Sequence, residues 1–105
     1  MASNLYAHYS TSGTKVIEVD PNASGVFSNI VLERIVVNGG TAGAIAVWES
    51  ADSSVQATGT DTMIADIDPA TGVPISLDFN LVLHGNLILV LAANTDITVV
   101  FRRTP

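Results

Sequence analysis

Apolar segments in this chain start and stop at short intervals, and the residues between them are Gly, Pro, Asn, Asp, Ser and Thr. Each of these favours a turn for its own backbone reason, so the rhythm predicts strands joined by turns. Residues 73–79 alternate most clearly, with Ile75, Leu77 and Phe79 on a face expected to be buried and Ser76 and Asp78 on the other. Residues 95–102 repeat the pattern, with Ile97, Val99 and Phe101 inward and β-branched Thr98 and Val100 outward. Residues 86–92 are almost wholly apolar, which predicts a strand covered on both faces. Residues 29–37 and 43–49 flank an Asn38-Gly39-Gly40 step, a hairpin signal. Shorter strands are expected over 63–67 and 14–19, each ended by Asp-Pro, and residues 5–9 form a weakly paired arm. The fold expected is therefore all-β: a single antiparallel β-sandwich, jelly-roll-like, of seven or eight strands.

At 105 residues a second folding unit would leave neither half an adequate core. Residues 1–28 are read as an N-terminal arm and first strands, and 29–105 as the main body, all in one domain. The chain is 48% hydrophobic and 13% charged, about half the usual charged fraction. Its exterior is thus built of small polar residues or is covered by other protein. A formal charge of −6, with Lys15, Arg34, Arg102 and Arg103 as the cations, lacks the clustered positive charge that nucleic acid or an anionic membrane requires. The longest apolar run is far too short to span a bilayer, and the N-terminus carries no secretory pattern, so synthesis in the cytoplasm is expected. Without cysteine there is no disulfide, thiolate nucleophile or Cys-ligated zinc.

Sites of chemistry are sparse in this pattern. His8 and His84 are the only histidines, and no Gly-x-Ser-x-Gly elbow accompanies either of them. His84 is expected in a turn. Segment 66–72, Asp-Ile-Asp-Pro-Ala-Thr-Gly, places oxygens at alternate positions, but its glycine comes one residue late for a calcium loop and no closing Glu follows. Asp66 and Asp68 share a strand face, yet the aromatic content of 6% is thin for a sugar cleft. Asn22-Ala23-Ser24 is read as a turn, and Trp48 as a core anchor. The arginines at 102 and 103 either clamp a partner's carboxylate or protect a strand end. No enzyme activity, cofactor or metal is expected.

The strand Ile35-Val-Val-Asn-Gly-Gly, then Ile45-Ala-Val-Trp-Glu, Ile75-Ser-Leu-Asp-Phe-Asn, His84-Gly-Asn-Leu-Ile-Leu-Val and Asp96-Ile-Thr-Val-Val-Phe-Arg together resemble the small β-sandwich virion proteins of tailed bacteriophages. Capsid decoration, or cement, proteins are the most similar class, and the likeness spans about two-thirds of the chain. The resemblance implies a homo-oligomer, with a trimer favoured, that sits on the capsid exterior and binds across neighbouring major capsid proteins to stabilise the head. Tyr6, His8, Tyr9, Arg102 and Arg103 are the expected contact residues. The alternative is a receptor- or glycan-binding module of a phage tail fibre or spike; the lack of a shaft or coiled-coil segment in the sequence counts against it.

Overall fold

The structure, a computed structural model, describes residues 5–39, 45–50, 62–68 and 74–105. Among them lie eight strands: β1 (Leu5–Tyr9), β2 (Gly13–Ile17), β3 (Asn29–Gly39), β4 (Ile45–Ser50), β5 (Thr62–Ile67), β6 (Ile75–Leu83), β7 (Asn86–Leu91) and β8 (Asp96–Thr104). They form two antiparallel four-stranded sheets, one ordered β1-β8-β3-β6 and the other β2-β7-β4-β5. The pairs β1·β8, β2·β7, β3·β6 and β4·β5 are those of one long antiparallel ribbon rolled over on itself, the jelly-roll arrangement.

Inward residues of the two sheets form one core, which includes Ile30, Leu32, Ile35, Val37, Ile97 and Val99 from the first sheet and Ile17, Ile45, Val47, Leu87, Leu89 and Leu91 from the second. Simple alternation cannot bring Leu32 and Ile35 to the same face, because they are an odd number of positions apart. A bulge supplies the missing phase shift: between the Leu32 and Arg34 pairings β8 has no intervening residue, β3 has Glu33, and β6 has Phe79 and Asn80. Asn80 takes a left-handed conformation there (φ 49°), one that Asn tolerates better than most residues.

Three expectations change. The run 29–37 and the run 43–49 do not form a hairpin: β3 pairs with β6 and β8, while β4 lies in the other sheet with β5 and β7. Both strands carry apolar residues at alternate positions, and stacking them across the core buries Ile35, Val37, Ile45 and Val47 completely. Trp48 is outside the core, half-buried on the outer face of its sheet, directly across from Ile88 and Met63. Ile88 is fully buried although it points away from Leu87 and Leu89. Finally, the face of β6 expected to be buried is only partly so, with Ile75 39% exposed and Leu77 and Phe79 intermediate, because β6 is an edge strand.

Candidate functional site

The five expected contact residues do not share one surface. In β1, Leu5, Ala7 and Tyr9 pair with Phe101, Val99 and Ile97, residues of the core, which leaves Tyr6 and His8 on the outer face. Tyr6 lies across from Val100 and is 75% exposed. Arg102, two residues along β8 from Val100, shares that face and donates from Nε to Glu33 Oε1 at 2.6 Å. Glu33 reaches it because the bulge lifts that residue out of the regular alternation. Tyr9 and Arg103 sit elsewhere. Tyr9 lines the side of the sandwich where β1 turns into β2, with the Lys15 ammonium 5.9 Å from its ring centre, and burial raises its phenol pKa. The Arg103 guanidinium lies 5.2 Å from the Phe101 ring centre and donates to the Glu18 carbonyl at 3.0 Å, at one end of the sandwich.

His8 belongs to a polar network that sequence reading did not assemble. Its Nε2 is 2.7 Å from Asp96 Oδ1, and Asn38 Nδ2 donates to the same oxygen at 2.9 Å and to Thr98 Oγ1 at 3.2 Å. These four residues come from β1, β3 and β8, brought together by the pairings of Tyr9 with Ile97 and of Gly39 with Asp96. The network ties the edge strand to the sheet by side chains as well as by backbone. Donation from Asn38, then from His8, holds the Asp96 carboxyl below the usual carboxylate range. Asp20 is lowered as well, chiefly by the Gly25 backbone N–H at 2.7 Å, with help from the Ser24 hydroxyl and the charge of Arg103.

Both carboxylates therefore bind protons more tightly in the unfolded chain than in the folded one. Their contribution to stability is present above the unfolded carboxylate pKa of about 4 and is lost as pH falls through the lower folded values. Urea midpoints measured from about pH 5 down to pH 2 should fall progressively. Asp96→Asn should show a shallower acid limb, and an unchanged limb would mean that the network does not hold β1.

His84 occupies the turn between β6 and β7, as expected, and its contacts are structural. Its backbone N–H donates to Glu49 Oε2 at 2.6 Å, and Nδ1 is 2.7 Å from Asn29 Oδ1. Asp66 is exposed on the outer face of β5, and Asp68 lies just past the strand end. The rest of the segment 66–72 lies outside the described residues. Among the described residues no three His, Asp or Glu side chains converge as metal ligands would. At the Asn22-Ala23-Ser24 position the chain does turn, with Ala23 N donating to the Asp20 carbonyl at 3.0 Å.

No family model matches the chain, and a search of curated proteins finds no match. Among solved structures the chain is similar to the Drosophila NLP core, with a TM-score of 0.59 over 100% of this chain and 98% of the other, at 9% sequence identity. That structure is described as giving insight into pentamer formation and histone binding. At this identity the likeness is one of fold.

Proposed function

We propose that this chain is a structural virion protein of a tailed bacteriophage that decorates the outside of the assembled head, binding across major capsid proteins as a homo-oligomer. The observation that carries the reading is the surface. Nine large apolar side chains remain exposed among the described residues, Tyr6, Val26, Val82 and Met63 most of all. Some of the charges that accompany them are paired: Glu33 with Arg102, Asp78 with Arg34 and Asp96 with His8. A surface of this kind suits contact with protein, where charged groups are depleted and aromatic and apolar ones enriched. The jelly roll itself recurs in viral capsid proteins and also in lectins and cupins, so the fold supports the reading by analogy only.

An oligomer adds avidity. Several copies engaged at once turn modest single contacts into effective cementing, and binding confined to the assembled shell stabilises that shell by mass action. The phage resemblance implies three copies; pentamer formation is described for the Drosophila NLP core. Histone binding is described for that protein alone; at 9% identity the likeness is one of fold and does not bring that partner to this chain.

Co-sedimentation tests the proposal. The purified protein should pellet with assembled phage heads at a saturating, fixed ratio and should not bind unassembled capsid subunits. Failure to bind shells, with binding to host cell envelopes instead, would move the protein to the recognition class.

A further inference from the structure

The two open sides of the sandwich differ in chemistry. On one side β1 and β2, the edge strands of the two sheets, are joined by the short turn Ser10–Ser12, and on the other side β5 and β6 are the edges. Four strands lie across each sheet, so the two rims are about 14 Å apart between strand axes. Six of the nine exposed large apolar side chains sit on edge strands: Leu5 and Tyr6 on β1, Met63 on β5, and Ile75, Leu81 and Val82 on β6. Exposed apolar side chains are therefore concentrated at the rims, where a sheet is most open to association with another chain. β6 is also long, nine residues, with Asp78 as its one charged side chain, and lacks the lysines or prolines that commonly guard an edge.

Charge separates the rims as well. The β5/β6 rim carries Asp66, Asp68 and Asp78, all exposed, with Arg34 of β3 facing Asp78 at 3.8 Å. The β1/β2 rim carries Lys15, beside the Tyr9 ring, and His8, which is paired with Asp96. Two β5/β6 rims brought together would oppose their own aspartates. A β5/β6 rim against a β1/β2 rim instead sets those aspartates toward Lys15, Leu81 and Val82 of β6 toward the exposed Tyr6 ring of β1, and Met63 of β5 toward β2.

We propose that a second copy of this chain is the occupant of the β5/β6 rim, docked through its own β1/β2 rim, so that copies join head to tail. This rests on the homo-oligomer of the function proposed above and names its interface. Such a heterologous contact uses two different surfaces on every copy and closes into a ring when the rotation per step divides a full turn. It leaves the outer faces of the central strands and the loops at the ends of the sandwich available to other proteins.

The test combines mass measurement with two exposed-site variants. By analytical ultracentrifugation the wild-type chain should sediment at a multiple of 10.9 kDa. Met63→Asp, on one rim, and Tyr6→Asp, on the other, should each fall to the single-chain mass with an unchanged far-UV circular dichroism spectrum. Mixed in equal amounts, they should form a species of twice 10.9 kDa, because each keeps one intact rim of opposite kind. A wild type that remains monomeric overturns the proposal, as does a Tyr6→Asp variant that keeps the wild-type mass, which is what pairing of β5/β6 rims with each other would give. Hydrogen exchange on the unmodified chain is a second readout: protection over residues 5–9 and 75–83 should rise together with protein concentration, and a rise in only one segment overturns the head-to-tail contact. A monomer that still pellets with phage heads would remove this interface and leave the decoration role standing; an oligomer that ignores heads would do the reverse.

Discussion

Leu89→Ala should lower the unfolding free energy by about 2–5 kcal/mol, the range for deleting a fully buried leucine when the surroundings collapse only partly into the space left. Leu89 is 0% exposed in β7, a strand with hydrogen-bonded neighbours on both sides, across from Val47 of β4 and Lys15 of β2. Its side chain belongs to the core shared by the two sheets, so movement of either sheet to fill the gap would disturb packing already made elsewhere. A domain of this size has a total stability of about 5–15 kcal/mol, so at the lower end of that range much of the variant would be unfolded at room temperature. Val90→Ala is the internal control. It removes apolar atoms from the next residue on the solvent side, 36% exposed, and should change stability by less than about 0.5 kcal/mol. Urea unfolding followed by circular dichroism, at one fixed protein concentration, measures both. Equal losses in the two variants would contradict the assignment of Leu89 to the core.

Asn86→Ala should cost about 1–3 kcal/mol, for a different physical reason. Asn86 opens β7, is 7% exposed, and accepts a hydrogen bond from the Val19 backbone N–H at 2.8 Å. Val19 lies two residues beyond the end of β2, where the ladder with β7 has stopped. The Asn86 amide continues that connection by a side chain, and removing it leaves a part-buried donor without its partner. Amide exchange separates this from general loosening. The Val19 amide should lose protection more than those of Lys15 and Ile17, which sit within the paired strand. If Val19 keeps its protection in the variant, the Asn86 contact does not hold that segment.

Most strands were legible from the apolar alternation, but the register shifts at the bulges of β3 and β4 were not. Ile97, Val99 and Phe101 face inward as their spacing requires, with Thr98 and Val100 outward. β7 is buried at every position but Val90, in line with its unbroken apolar run. Residues 5–9, read as a weakly paired arm, form a five-residue ladder with β8. The candidate site was legible only in pieces. His8 and the arginines stood out by residue type, but nothing near them in the chain points to Asp96, Asn38 or Glu33 as their partners. Those contacts join residues 58 to 88 positions apart, and only the strand pairings bring them together.

By itself the sequence determined the class of structure: local alternation sets which side chains must leave water, and turn residues set where the chain can reverse, and both act over a few neighbours. Which strands would pair was beyond it. The Asn38-Gly39-Gly40 step invites a hairpin, yet β3 and β4 end up in opposite sheets because stacking buries the apolar faces of both at once, a gain that depends on the other six strands being in place. The position of Trp48 and the burial of Ile88 have the same origin. An alternation pattern says that two faces differ, and only the assembled sheets decide which face meets the core, which meets solvent, and which edge is left open to another chain.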